Sequence, residues 1–253
     1  MVRIFAASSL AVLFACVSSP TVAPSGVFRT EEVRPALLEW NVGVNEKDGP
    51  SGMVETVLPA TYADRDVWRV VHRDPDPTAD GAAGSYDMYD LDRATLAPLR
   101  SVMSREGFEL ALTFQADRVK IEKRDGANRE VTSVRVRNPM PEGPGMRVLL
   151  AALPLEDGFR TSFEIVDRWD EARRVKTIDL TVARADTLAT PLGRCQALEV
   201  TLAPRDGSFR IRNWVRLTPP HYPLKVEYTR GETVLVSEVT RMVVEGVPVA
   251  CER

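Results

Sequence analysis

Phe108-Glu109-Leu110-Ala111-Leu112-Thr113-Phe114 decides the fold. Its Phe and Leu side chains fall on every second residue, with Glu109, Ala111 and Thr113 between them. Successive side chains of an extended strand point to opposite faces, so this segment has one dry face and one wet one. The pattern recurs along the chain in Val119 and Ile121, Val134 and Val136, and Phe159, Phe163 and Ile165. It continues through Ile178, Leu180 and Val182, then Leu198, Val200 and Leu202, then Leu224, Val226 and Tyr228. A half-buried antiparallel sheet produces such alternation.

Turn chemistry separates the runs. Arg124-Asp125-Gly126, Arg205-Asp206-Gly207 and Arg230-Gly231-Glu232 are hairpin candidates, because Gly supplies the positive φ that tight turns need. Gly145 to Leu153 is the one segment that reads as a helix, with Pro154 as its stop. A lone apolar helix among strands is best buried against the concave side of a curved sheet. The expected fold is therefore mostly β: a single curved antiparallel sheet or half-open barrel, with one short helix packed on its concave side. Phe108, Leu110, Leu112, Phe114, Leu198, Val200, Leu202, Leu224, Val226 and Tyr228 are the residues expected to face any cavity that the curvature leaves. Leu91 to Arg100 is echoed by Leu217 to Lys225, each a strand end that turns through proline into a Leu-Arg or Leu-Lys pair. A duplicated half-sheet gives such an echo, and so does the usefulness of proline where a strand begins.

Of 253 residues, 44% are hydrophobic and 27% charged, which is ordinary globular composition. A formal net charge of -3 gives no positive field to select phosphate backbones, so nucleic acid is excluded as a partner. The Arg residues are scattered among Asp and Glu along the strands, as on a solvated β surface.

The N-terminus reads as an export signal. Met1-Val2-Arg3 supplies a basic start, and Ile4 to Val17 is an uncharged apolar run too short to span a bilayer. Leu13-Phe14-Ala15-Cys16 resembles the lipobox of bacterial lipoproteins, which implies a lipoprotein-type signal peptide over 1–15 and lipid on Cys16. The rival is ordinary cleavage after Ala23, disfavoured by Pro24, whose fixed φ and missing N–H suit an extended protease cleft badly. Several acyl chains, at about 0.8 kcal/mol per buried methylene, make a lasting anchor. Val17 in place of an Asp points to the periplasmic face of the outer membrane; without lipid the protein would be soluble in the periplasm. Residues 16–51 read as a tether in which Val33 to Val44 could add an edge strand, and 52–253 as the antiparallel domain. With Cys16 assigned, Cys195 and Cys251 are an even pair that an oxidising compartment permits either to join or to remain thiols.

Thr190-Pro191-Leu192-Gly193-Arg194-Cys195-Gln196-Ala197-Leu198-Glu199-Val200, then Asn213-Trp214-Val215-Arg216, then Pro219-Pro220-His221-Tyr222-Pro223-Leu224-Lys225-Val226-Glu227, together resemble the DUF3108 family of exported proteins. Val148 to Leu153 followed by Pro154-Leu155-Glu156-Asp157-Gly158 matches as well, and the likeness covers roughly Gly84 to Arg241. More distantly the group is similar to the LolA and LolB lipoprotein carriers, which implies a half-open barrel that holds acyl chains.

No catalytic constellation stands out. His72 and His221 are the two histidines and have no metal-ligand spacing. Cys195 has no adjacent base, and no Ser lies in a GxSxG context. Asp74, Asp76, Asp80 and Asp87 sit in a loop-like stretch, but the twelfth position from Asp74 is Ser85 where a calcium loop needs Glu. The expectation is a non-enzymatic envelope lipoprotein without cofactor or metal. Its curved sheet binds or shields a lipid or acyl chain; the alternative is a solid-core scaffold that meets another envelope protein.

Overall fold

The computed structural model describes residues 28–44, 47–73, 85–171 and 174–252. A 3-10 turn at Thr30–Glu32 leads into β1 (Ala36–Val44), β2 (Lys47–Tyr62), β3 (Arg65–Arg73) and β4 (Tyr86–Asp92). Next come β5 (Pro98–Arg105), β6 (Phe108–Phe114), β7 (Arg118–Asp125), β8 (Asn128–Arg135) and α1 (Pro144–Ala152), the one α-helix among the described residues. The second half holds β9 (Arg160–Val166), β10 (Val175–Arg184), β11 (Leu188–Thr190), β12 (Gly193–Cys195) and β13 (Ala197–Pro204). The chain closes with β14 (Arg210–Arg216), β15 (Pro223–Arg230), β16 (Thr233–Val244) and β17 (Val247–Pro248).

Each short turn makes sequential strands antiparallel neighbours, and the result is one large curved sheet that does not close into a barrel. Its order is β8-β7-β6-β5-β4-β3-β2-β1-β16-β15-β14-β13-β10-β9, with β17 added on β16 and β11–β12 forming a separate ribbon. The three expected hairpin glycines all have positive φ: Gly126 at 56°, Gly207 at 69° and Gly231 at 58°. The β2–β3 turn carried no such signal, since Ala63 and Asp64 adopt φ of 47° and 60° there. Pro98 and Pro223, the two prolines of the echoed segments, each pair beside a register shift, where a missing N–H is tolerated.

One expectation needs correcting. Val33 to Val44 reads as tether that could add an edge strand to a domain starting at residue 52, but β1, within that stretch, lies between β2 and β16 and joins the two halves. Alternation reveals a strand's dry face and not its neighbours, so a strand separated from its partner by the whole chain reads as peripheral. Residues 1–27, with the expected signal segment and Cys16, lie outside the described residues.

The helix sits inside the curve because it is apolar all round; only Arg147 of its residues is not fully buried. Val148, Ala151 and Ala152 form one stripe at helical spacing, packed with Leu38, Trp40, Val57, Trp68, Val70, Tyr89 and Leu91 of β1–β4. Met146, Leu149, Leu150 and Leu153 form the other, packed with Phe163, Ile165, Ile178, Leu180, Val200 and Leu202 of β9–β13. The helix thus wedges the half-sheets apart at its own diameter, about 10 Å. Gly145 is required at its first turn, since a Cβ there would lie 2.7 Å from Pro141 Cβ and 3.1 Å from the Tyr89 ring. On the outer face, residues directly opposite each other form ion pairs: Glu39 with Arg241 at 2.7 Å and Lys225 with Glu238 at 2.8 Å.

Candidate functional site

Wedging leaves space at the N-terminal end of α1. A half-open pocket of about 270 Å³ lies there between the half-sheets. One wall is apolar: Ile165 of β9, Ile178 of β10, Leu202 of β13, Ile211 of β14, Val226 and Tyr228 of β15, with Phe209 and Met146 beside them. The Phe209 and Tyr228 rings are 5.8 Å apart. The facing wall is polar, built from His72 of β3, Asp87 of β4, Glu142, Arg147, Asp167 and Arg168, with Met53 and the half-exposed Trp169 beside them.

Arg168 organises the polar wall. Its side chain is 3% exposed, its guanidinium donates to Glu142 and reaches both oxygens of Asp87 at 3.3 Å, and it lies over the Tyr89 ring at 5.5 Å. Burial works against its charge, but Glu142, Tyr89 and Asp87 outweigh that and hold its pKa above the ordinary range. Burial pushes the Glu142 carboxyl up, with Arg168 offsetting part of the effect. Beside this group, fully buried Glu55 accepts from Arg147, which stacks 4.4 Å from the Trp40 ring centre, and lies 3.3 Å from His72 Nδ1. Behind the wall, Lys176 donates to Asp206 at 2.8 Å and Asp170 at 3.0 Å. Burial lowers its pKa, and those carboxylates more than restore it. A smaller space of about 170 Å³ adjoins, sharing Met53, His72 and Asp87.

The ten side chains expected at a cavity divide three ways. Leu202, Val226 and Tyr228 line the pocket. Leu198 and Val200 are core with the helix, and Leu224 is core with β1–β4. Phe108, Leu110, Leu112 and Phe114 pack in a separate solid cluster with Met103, Val119, Ile121, Val136 and Val166, so that part of the dry face is filled. Cys195 and Cys251 are joined, with Cα atoms 5.0 Å apart. His221 is buried, its Nδ1 2.8 Å from the Arg216 carbonyl, and His72 pairs with Glu55. Asp74, Asp76 and Asp80 lie outside the described residues, whereas Asp87 is held by Arg168. Among the described residues no group of three His, Cys, Asp or Glu is arranged to hold a metal.

The polar wall was missed because its members are far apart in sequence; Arg168 and Asp87 are 81 residues from each other. Two signals were nevertheless present. Lys176 occupies the same dry row as Ile178, Leu180 and Val182, and Asn213 lies two residues from both Ile211 and Val215.

Residues 53–232 match the family described as protein of unknown function, DUF3108. The chain belongs to the DUF3108 family. No curated protein matches it. Among solved structures, a β-barrel-like protein of the DUF1849 domain from Brucella abortus is similar at 12% identity, covering 84% of this DUF3108 chain and 98% of that one, with a TM-score of 0.46. A Bacteroides fragilis protein named as exported, with a YmcC-like fold, aligns at 11% identity over 83% and 96% of the two chains, TM-score 0.34. A Parabacteroides distasonis protein named as a lipoprotein aligns at 10% identity over 86% and 99%, TM-score 0.33.

Proposed function

We propose that this DUF3108 protein is a non-enzymatic cell-envelope lipoprotein that binds or shields an apolar acyl chain between its half-sheets. The pocket beside α1 carries this reading: apolar side chains from five strands and loops converge there instead of filling the space. A chain seated on that wall gains about 0.8 kcal/mol for each methylene removed from water, so it needs little polar recognition to stay. The polar wall keeps one side of the opening wet, and the buried helix holds the wall apart without a ligand. The N-terminal sequence supports export and lipidation of Cys16, with the domain at the periplasmic face of the outer membrane.

Native mass spectrometry of the full chain, released gently from its own membranes, tests the reading. A lipid-mass adduct is expected, and Val226→Trp, which fills the opening, should abolish it. A parent protein with no adduct and no lipid in its organic extract would remove the proposal. Loss of palmitate labelling should follow Cys16→Ala, and persistent labelling would contradict the anchor.

One observation favours the second reading, a scaffold that meets another envelope protein. In the described residues β8 ends the sheet and every residue except Val134 is exposed, including Val131 at 50%. A photo-crosslinker at Val131 that yields one defined envelope partner would support this reading, and a blank would count against it.

A further inference from the structure

Asn213 interrupts an apolar row. Ile211 and Val215 flank it on the concave face, and its cross-strand partners are Val200 on β13 and Val226 on β15. The residue is 3% exposed, and its Nδ2 has no hydrogen-bond partner among the described residues, yet it lines the pocket. An unpaired buried amide is unfavourable, and a Leu or Val, like its neighbours, would avoid the penalty. Among the described residues folding gains nothing from the Nδ2 end of this amide. An occupant that offers it an acceptor makes the residue useful.

The charges narrow that occupant. The wall presents three carboxylates, Asp87, Glu142 and Asp167, against two guanidinium groups, Arg147 and Arg168. Both cations are already engaged, Arg168 by Glu142 and Asp87, and Arg147 by Glu55. A ligand carboxylate would be desolvated beside an acid-rich wall with no uncommitted guanidinium among the described residues, whereas a neutral carbonyl meets no such penalty. Resting on the apolar-chain reading above, we infer that the pocket takes an acyl chain as its ester or amide. Nδ2 is closed to solvent in the unliganded fold, so the Asn213 side chain turns on binding to donate from Nδ2 to the acyl carbonyl oxygen; the chain lies on Ile178, Leu202, Ile211 and Val226, and the free fatty acid is discriminated against.

The test uses the delipidated full-length protein and four probes that compete with an apolar fluorescent dye: glyceryl monodecanoate, N-decanoylglycinamide, sodium decanoate and decane. The carbonyl probes are expected to bind about tenfold tighter than decane or decanoate, the value of one good hydrogen bond. Preference for the ester alone supports the inference and assigns a glycerolipid source; preference for the amide alone supports it and assigns an N-acylated one. In Asn213→Leu the advantage of the carbonyl probes over decane should vanish. That variant removes an unpaired amide nitrogen, so its urea midpoint should be no lower than the parent's, which shows an intact fold. If all four probes bind equally, or if Asn213→Leu keeps the carbonyl preference, this inference is overturned and the apolar-chain reading stands. If no probe binds, both are overturned.

Discussion

Replacing Cys195 and Cys251 together by alanine should cost the fold about 4 kcal/mol. The link spans 56 residues, running from the end of β12 through β13–β17. Cross-linking a loop of that size removes about 14 cal/mol/K from the unfolded chain, or about 4 kcal/mol at 25 °C. Native contacts around the link survive the substitution: Cys251 N–H donates to the Leu192 carbonyl at 2.9 Å, and Arg194 N–H to the Glu252 carbonyl at 2.7 Å. The whole effect should therefore arise in the unfolded state. Urea unfolding followed by the fluorescence of the four Trp residues measures it. With a slope near 2 kcal/mol/M, the midpoint should fall by about 2 M, and the slope should rise as the unfolded chain expands. A loss under about 1 kcal/mol with an unchanged slope would refute the loop-closure reasoning.

Arg168→Met leaves Glu142 and Asp87 part-buried and uncompensated, and should destabilise by about 3–5 kcal/mol in the same urea assay. Adding Glu142→Gln to it should recover part of the loss. Leu150→Ala, at a fully buried position of the helix stripe facing β9–β13, should cost about 2–5 kcal/mol. For pH, hydrogen bonds from Arg212 hold Glu199, and those from Lys176 hold Asp206, below their ordinary values, while Arg129 and Arg124 bring Glu122 to about 2. A carboxyl depressed in the folded state contributes its stability above the unfolded pKa, near 4, and loses it as pH falls through the folded value. Urea midpoints should accordingly drop between about pH 4 and pH 2, and a flat profile would contradict these pairings. Glu142, raised by burial, runs the other way: its contribution is complete at low pH and fades as pH rises through its folded value.

The sheet was legible because every strand with one dry face announces it. Alternation in Phe108–Phe114, Ile178–Val182 and Leu198–Leu202 corresponds to β6, β10 and β13, and Gly126, Gly207 and Gly231 mark real hairpins. The helix could be read from Gly145 to Leu153 because a proline ends it and nothing polar but Arg147 interrupts it. Which strands become neighbours across the chain was not readable, and neither was the difference between a filled and an open part of the dry face. Leu110 and Leu202 occupy equivalent positions in their patterns, yet Leu110 sits in a packed cluster that includes Val136 and Val166 while Leu202 borders space. That difference comes from where α1 begins, a tertiary fact. The site was legible only as exceptions, an amide and an ammonium in rows that ought to be greasy.

The pairing of β1 with β16 has a consequence for how the polypeptide comes into being. A ribosome delivers residues in order, so the sheet's first strand waits with one bare edge until its last long strand has been made. Residues such as Leu38 and Trp40 then lack part of their final surroundings for most of synthesis. Vectorial production thus delays completion of the architecture until nearly all of the polypeptide is present. If the chain is exported unfolded, as proposed above, that delay is an advantage, because the finished shape has little chance to jam a translocation channel.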